Sequence, residues 1–404
     1  MLLKRILNNK YTLLGCYSAI SIAILFFALS FPMYNLDMLA YVGSTKSFET
    51  SDKETIHTFV YSEAKKKVPP EKLYYLLGYA SLDQYESRHE SSNEPINNSR
   101  SIISDDPEAL YQQLPFYQIK VLYVSLVYLL SELGINTYLA TYLISAISMV
   151  LGLWVLLFTF KPYIHNYLLY SIPAFAMAFG LLPTARSSTP DGLAFLMVTI
   201  MVYLFTRANW LIFIATPIAV LVRPDLIIFG FMILVYYLIF HKTWRYFSIA
   251  SILASLILYF SVSYYFGNYG WATLFYHTYI KFLIYPADAT IELGLVEILY
   301  AYKHEMVKLV FSREFWLYIV IMILSLFLIS QNYSTNWYKK RPFNPMIFIL
   351  ISSFLYILIH YLLFPSFLTR FFIGQYLLSV LVFLYLLSNK GHEISPLADK
   401  EQHA

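Results

Sequence analysis

Charged residues in this 404-residue chain lie repeatedly where long apolar runs end. They are Asp37 in "YNLDMLAY", Arg186 and Asp191 in "ARSSTPDGLAFL", Arg223 and Asp225 in "VRPDLIIFGF", and Arg370 in "FLTRFF". Ionisable groups within a membrane are costly, by roughly 2.5–3.5 kcal/mol at a helix centre, and mark functional sites. The carboxylate of Asp37 could act as a general base toward a hydroxyl group. The arginines could bind an anion such as phosphate or pyrophosphate.

A structural interpretation competes with each of these roles. An acid such as Asp37 can simply end a helix at the interface. Asp191 and Asp225 each follow a proline and favour the dipole of the helix that begins there. Arg223 could equally form an ion pair between helices, whereas Arg186 and Arg370 are better explained by an anionic ligand.

Four further residues are candidates with an equally simple alternative. The stretch "YGWATLFYHTYIKFLIYP" holds His277 and Tyr279, which could bind a sugar or a lipid head group or belong to an interfacial aromatic belt. Asp105 and Asp106 precede Pro107 and could cap a helix or supply a second acid. The sequence has no Cys/His metal spacing, phosphate-binding glycine loop or Gly-x-Ser-x-Gly motif, so no metal ligand is assigned.

The composition is that of an integral membrane protein. Hydrophobic residues make up 59% of the chain, charged residues 13%, and the mean hydropathy is +0.58. The net charge of +4 is small and divided among short loops, which argues against a nucleic-acid partner. The single cysteine, Cys16, excludes an intramolecular disulfide framework.

The apolar runs predict an all-α, polytopic bundle with about 10–11 membrane segments. We place the segments at 11–33, 113–132, 136–160, 163–183, 191–206, 209–222, 225–241, 246–266, 315–331, 345–364 and 370–388. A single membrane domain then covers 1–388, and the tail 389–404 is cytoplasmic.

Two polar stretches, 34–112 and 267–313, are too long to be membrane turns and are expected to be extracytoplasmic loops. In the first loop, amphipathic helices are predicted at Lys53–Lys67 and Glu71–Glu86, followed by the loop "SRHESSNEPINNSRSIISDDPEA".

The short basic turns of the chain are expected to lie in the cytoplasm, on the side of the membrane opposite the two long loops. They lie at Lys161, Arg207, Lys242/Arg245, "YKKRP" (338–342) and Lys390. The chain must then cross the membrane an odd number of times between the first loop and Lys161, yet two apolar segments lie there. One of them, with 113–132 the better candidate, is expected to be re-entrant or interfacial.

The order of these features resembles the GT-C superfamily of polytopic glycosyltransferases. The likeness runs from residue 11 to about 388: "YNLDMLAY" after the first helix, a large outer loop, "LPFYQIKVLY", "ARSSTPDGLAFL", "VRPDLIIFGF", a second outer loop and a late "RFF". No single motif is specific, but the ordered set is moderately so.

The resemblance implies a polyprenyl-phosphate-linked sugar as donor and an extracytoplasmic reaction, in a bacterial inner membrane with a periplasmic site. It assigns the catalytic role to Asp37, alone or with Asp105 or Asp106, and donor-phosphate contacts to Arg186, Arg223 and Arg370. Asp37, Arg186 and Arg370 should then converge on one cavity. Some family members bind a divalent cation, so a metal stays open, as do the sugar (hexose or pentose), the acceptor and the oligomeric state.

Three other functions remain compatible with the sequence. A transporter or flippase would show discontinuous helices and internal repeats, and no repeat is evident. A surface-glycan polymerase or ligase would also have outer arginines but usually a late large loop. A noncatalytic scaffold leaves the three outer arginines unexplained.

Overall fold

The protein is an all-α polytopic helical bundle in its computed structural model, which describes residues 9–78, 99–332 and 344–388. Helices account for 79% of it, and these ranges contain no strand, which confirms the expected fold class. The first part of the chain forms α1 Lys10–Ser30, α2 Leu36–Lys46, α3 Lys53–Lys67, α4 Pro70–Leu76, α5 Ser99–Asp105, α6 Pro107–Gln113, α7 Pro115–Gln118, α8 Val121–Glu132, α9 Thr137–Phe160, α10 Asn166–Leu169, α11 Ile172–Ala178 and α12 Leu181–Arg186. The second part forms α13 Asp191–Thr206, α14 Ile212–Val222, α15 Leu226–Phe240, α16 Arg245–Tyr265, α17 Gly270–Tyr279, α18 Leu295–Val310, α19 Arg313–Asn332, α20 Pro345–Leu363 and α21 Thr369–Ser388.

Among the described residues, six helices are long and apolar enough to cross a membrane on their own. They comprise α1, α9, α16 with its preceding 3₁₀ turn, α19, α20 and α21. Three shorter apolar helices, α13, α14 and α15, pack among them. Several long apolar helices of this kind indicate a multi-pass membrane protein.

The apolar segment predicted at 163–183 is not one continuous helix. The structure has three short helices there, α10, α11 and α12. Pro173 starts the second of them, and Gly180, at φ 81°, precedes the third. A glycine in the left-handed region ends a helix, and a proline lacks the N–H that would continue the preceding one.

The two ends of the bundle differ in their charged residues. Asp191, Arg223, Asp225 and Arg370 lie at helix boundaries on one side, which we call the cluster end. The basic turns lie at the opposite helix ends, at Lys161, Arg207, Lys242 and Arg245. "YKKRP" and Lys390 fall outside the described residues.

Both ends of helix α8 contact the same side of the bundle. Near its start the Tyr123 ring lies 4.8 Å from the ring of Tyr41 in α2, at the cluster end. Just after its end, the Tyr138 hydroxyl of α9 donates to the Val60 carbonyl of α3, in the first loop, at 2.7 Å. The helices α6–α7 and α8 are bent by 113° relative to each other, and both ends of α8 meet the same side, as a re-entrant segment would.

The first polar loop folds onto α2 through its own apolar cluster. Met38, Val42, Val60, Ala64 and Leu110 are among its buried members. Helix α3 has the predicted bounds, Lys53–Lys67. Part of the predicted Ser/Asn-rich loop is helical instead, as α5 and the start of α6, because the side chain of Asp106 caps α6 ahead of Pro107. The structure describes Pro70–Leu76 of the second predicted helix, and residues 79–98 lie outside the described ranges.

Helices α9 and α13 cross with their backbones in close contact at Gly192. A Cβ atom placed on Gly192 would lie 2.6 Å from the Ser145 carbonyl oxygen and 2.8 Å from its Cα. The Ser145 hydroxyl also donates to the Thr189 carbonyl at 2.5 Å. This crossing fixes the start of α13, and with it Asp191, against α9.

We therefore expect Gly192→Ala to destabilise the protein by about 1–3 kcal/mol, since backbone atoms must move to admit the methyl group. Thermal unfolding in detergent micelles measures the change. Gly15→Ala is the matched control, because a Cβ on Gly15 meets nothing within 4 Å. Equal melting temperatures for the two variants would contradict the tight crossing.

Candidate functional site

Asp37 is positioned by the start of α2. The Asn35 side chain caps this helix by accepting from the Met38 N–H at 3.1 Å, and Asp37 lies in its first turn. The Asp37 carboxylate accepts from the Tyr117 hydroxyl at 3.2 Å and from Arg370 Nη1 at 3.2 Å. A quarter of its side chain (25%) stays exposed, so a ligand can reach it.

Arg370 joins Asp37 to Asp191. It is the second residue of α21, and its Nε lies 3.3 Å from Asp191 Oδ2, an ion pair without hydrogen-bond geometry. The Thr189 hydroxyl donates to the same oxygen at 2.8 Å. One guanidinium group therefore holds two carboxylates from distant helices.

Arg223 joins Asp191 to Asp225. Pro224 follows it, which favours the extended backbone that Arg223 adopts at the end of α14 (φ −150°, ψ 123°). Its Nη1 donates to Asp191 at 2.8 Å, while Nε and Nη2 donate to the two oxygens of Asp225 at 3.0 and 2.6 Å. The guanidinium also lies 4.8 Å from the Phe371 ring centre. Its donors are directed at carboxylates, as the ion-pair interpretation of Arg223 expects.

Two side chains of helix α20 also lie against the Asp225 carboxylate. The Tyr356 hydroxyl donates to the Asp225 carboxylate, and His360 Nε2 lies 3.6 Å from the same oxygen. Asp225 thus links the segment between α14 and α15 to the last turn of α20.

The ion pairs join into one continuous series, which we call the ion-pair chain. Its members, in order, are Asp37, Arg370, Asp191, Arg223 and Asp225. The middle is buried, with Asp191 and Arg223 side chains 3% and 7% exposed, whereas Asp37 and Arg370 are 25% and 28% exposed. A buried charge that loses its partner strongly destabilises a protein. The buried middle of the ion-pair chain therefore has a structural role. The exposed pair is the part that can exchange partners with a ligand.

Lys120 adds a third cation at this site. It lies between α7 and α8, where its ammonium donates to the Phe116 carbonyl and lies 5.4 Å from the Tyr117 ring centre. Burial lowers the pKa of Lys120 to about 8, and the negative charges of Asp37 and of the other two carboxylates of the ion-pair chain oppose this shift. The lysine balances the excess negative charge of three carboxylates facing two guanidinium groups.

A small cavity of about 10 Å³, roughly the space of one water molecule, adjoins the ion-pair chain. Its walls include Asp191, Arg223, Arg370 and Gln375. Gln375 is 1% exposed, and its Nε2 has no hydrogen-bond partner. A buried amide without a partner is costly, which makes this cavity a place for a water molecule or a ligand oxygen.

Arg186 is not brought into the ion-pair chain. Its guanidinium Nε donates to the Phe31 carbonyl, and its own carbonyl accepts from the Met33 N–H at 2.9 Å. The residue thus ties α12 to the strand-like stretch that precedes Asp37, where Met33 and Ser187 form an isolated bridge. Its contacts position Asp37 instead of reaching the other arginines.

The contacts of Tyr279, Asp105 and Asp106, the aromatic and acidic candidates of the two loops, are with neighbouring loop and helix-end residues. The Tyr279 ring packs 4.8 Å from Phe364, between the second loop and the end of α20. Asp106 caps α6 and accepts from the Tyr285 hydroxyl at 2.6 Å. Asp105 accepts from the Ser104 hydroxyl at 3.2 Å. These contacts of Asp105 and Asp106 are with residues of the two loops.

His277 is packed as a neutral base. Its Nδ1 accepts from the Leu283 N–H at 3.1 Å, and the rings of Phe116 and Phe282 lie 5.0 and 4.4 Å away. This burial lowers the pKa of His277 from 6.5 to about 4. The histidine therefore stays uncharged at neutral pH and orders the second loop.

The depressed pKa of His277 predicts acid sensitivity. Between pH 6.5 and 4 the unfolded chain binds a proton at this residue that the folded chain does not, so the free energy of unfolding falls as pH falls. The contribution reaches about 3 kcal/mol at the lower limit. We expect His277→Gln to flatten the decline of melting temperature between pH 7.5 and 4.5, whereas His304→Gln, at an exposed histidine, should leave the slope as in the wild type. A slope unchanged by His277→Gln would contradict this role.

Sequence reasoning missed five residues of the site. They are Tyr117, Lys120, Tyr356, His360 and Gln375. His360 and Gln375 each interrupt a long apolar helix, and a polar residue in such a position is a signal that the sequence does carry. The tyrosines could not be separated from the 38 tyrosines of the chain by type alone.

No group of three or more His, Cys, Asp or Glu side chains that could hold a metal ion occurs among the described residues. Comparisons of the chain with protein-family models, with curated proteins and with solved structures gave no match.

Proposed function

We propose that this protein is a membrane glycosyltransferase that moves a hexosyl or pentosyl group from a polyprenyl-phosphate-linked donor to an acceptor hydroxyl. The observation that carries the proposal is the part-exposed pair of Asp37 and Arg370 at the cluster end. A carboxylate and a guanidinium 3.2 Å apart offer a base for the acceptor and a cation for the donor phosphate. The ordered resemblance to the GT-C superfamily supports the same reaction class.

The proposed step is a direct displacement at the anomeric carbon. The acceptor oxygen forms a bond to that carbon while the bond to the phosphate oxygen breaks, and polyprenyl phosphate leaves with the electron pair. Asp37 takes the hydroxyl proton. Arg370 and Lys120 neutralise the charge that grows on the leaving phosphate, in a site where burial strengthens electrostatic interactions.

Donor binding requires an exchange of partners. Arg370 is paired with Asp37 and Asp191, so a donor phosphate competes with Asp37 for the guanidinium. Once the phosphate takes this contact, the Asp37 carboxylate is free to accept the proton of the acceptor. Arg223 keeps Asp191 and Asp225 in place during the exchange, a supporting role in place of the expected phosphate contact.

The distribution of basic turns supports an extracytoplasmic site. Lys161, Arg207, Lys242 and Arg245 lie opposite the cluster end, and such turns favour the cytoplasm. We propose that the cluster end faces the periplasm of a bacterial inner membrane. A divalent cation is not required by this scheme.

The broken crossing α10–α12 favours a second candidate, a transporter or flippase, because transporters bind substrates beside discontinuous helices. A test that separates the two uses purified protein in nanodiscs with polyprenyl-phosphate hexoses and pentoses and with a membrane lipid and glycan extract as the source of acceptor hydroxyl groups. We expect release of free polyprenyl phosphate, followed by mass spectrometry against empty nanodiscs. No release from any donor, together with movement of the lipid between leaflets in proteoliposomes, would overturn the transferase in favour of the transporter. Growth of a repeating glycan would instead identify a polymerase.

A further inference from the structure

Helix α18 has a wide apolar face that no other part of the described chain covers. Its residues are large, and each is more than half exposed: Leu295, Val296, Leu299, Tyr300, Met306, Val307 and Val310. At 100° per residue they occupy one continuous arc of the helix. An apolar surface of this size on a helix marks an interaction site.

The other side of α18 is fixed to the protein. Ala301 and Leu309 are buried, and the Tyr302 hydroxyl donates to the Leu362 carbonyl at the end of α20. The Tyr302 ring also lies 5.8 Å from the Tyr361 ring. The helix is therefore held firmly at the cluster end while its apolar face points away.

A narrow polar edge separates these two sides. Glu297, His304 and Lys308 project there and are exposed. Lys303 lies within the apolar arc, where a long lysine stem can cover apolar surface and still bring its ammonium group to water. A helix with these three sides can lie flat at a boundary between water and an apolar phase.

The surface of α19 identifies that phase. Only two residues separate α18 from α19, a helix long and apolar enough to cross a membrane, of which 22% is buried. Its exposed side chains include Trp316, Val320, Ile323 and Phe327. The apolar face of α18 thus continues into a surface that lipid must cover.

We propose that α18 is a membrane-surface helix that binds the lipid bilayer at the cluster end, with Leu295, Val296, Leu299 and Val307 in the acyl region and the polar edge in water. The helix contacts the end of α20 at Tyr361 and Leu362, next to His360 of the site. It therefore sets the height of the site relative to the lipid head groups. This inference does not depend on glycosyl transfer.

The single cysteine makes a direct test possible. Replacing Cys16 with serine gives a background for one-cysteine variants at Val296 or Val307 on the apolar face, and at His304 or Lys308 on the polar edge. Each is labelled with a fluorophore in nanodiscs that carry lipids with a nitroxide near the top of the acyl chain. We expect quenching at Val296 and Val307 to exceed that at His304 and Lys308 by about twofold or more, and aqueous iodide to give the reverse order.

Three results would overturn the proposal. Equal lipid quenching at all four positions would exclude a preferred face. Strong iodide quenching at Val296 and Val307 would place the apolar face in water. Protection of these positions from both quenchers would mean that a protein, such as a second copy of this chain, covers the face.

Discussion

Asp37→Asn should lower the rate of sugar transfer by about 10²–10⁴-fold, the usual contribution of a general base. Asparagine keeps the shape of the side chain and can still accept a hydrogen bond from Tyr117, but it no longer takes up a proton. The variant also frees Arg370 from a competing carboxylate, since the two side chains form an ion pair. We therefore expect kcat to fall while KM for the lipid-linked donor stays the same or decreases.

Release of polyprenyl phosphate at a series of donor concentrations measures both constants. Asp52→Asn is the matched control: Asp52 caps α3 in the same loop, and asparagine caps a helix equally well. It should keep full activity. Wild-type kcat in Asp37→Asn, with normal melting behaviour, would remove Asp37 as the base, and the transferase proposal would then need another acid.

Arg223→Met should cause the largest loss of stability, about 3–5 kcal/mol, because it leaves the Asp225 carboxylate without an arginine and leaves Asp191 with Arg370 alone. The Asp191 side chain is 3% exposed and accepts from Arg223 at 2.8 Å. The Asp225 carboxylate accepts from Nε and Nη2 of the same guanidinium. Methionine keeps an apolar stem against Phe371, so the change isolates the charge. Thermal unfolding in detergent measures the effect.

The loss should be partly reversed when the carboxylates are neutralised as well. Combining Arg223→Met with Asp191→Asn and Asp225→Asn removes the uncompensated charges, and replacing a whole buried ionic group is far less costly than removing one member. Arg207→Met, at an exposed arginine, should change stability by less than about 0.5 kcal/mol. If the triple variant melts below Arg223→Met, charge compensation is not what Arg223 supplies.

The apolar pattern predicted the bundle because lipid imposes a length and a composition on every crossing helix. It did not reveal that the segment from α10 to α12 is broken into short helices. Pro173 and Gly180 interrupt the helix there, although the sequence stays apolar throughout. It also left the crossing number of 113–160 open. That depended on contacts of α8 and α9 with α2 and α3, which lie far apart in sequence.

The site was predictable to the extent that its residues mark helix ends. Asp37, Asp191, Arg223, Asp225 and Arg370 all follow this rule, and the structure brings them together. Which arginine pairs with which acid was not predictable, because each pair depends on how helices pack.

The remaining candidates show where position alone misleads. Arg186 satisfies the same helix-end rule but binds a backbone carbonyl. His277, Tyr279, Asp105 and Asp106 lie in the right loops, yet their side chains serve local packing and capping. The type of a residue and its position in a loop do not determine how far its side chain lies from the ion-pair chain.

The span of the ion-pair chain has a consequence for biosynthesis. Asp37 and Arg370 are 333 residues apart, so a ribosome delivers the carboxylate to the membrane long before its guanidinium partner exists. Asp191 is likewise made before Arg223, and two helices, α13 and α14, are synthesised between them. The nascent protein thus carries Asp37 without its guanidinium partner until the final described helix is made, and the ion-pair chain is complete only at that last step.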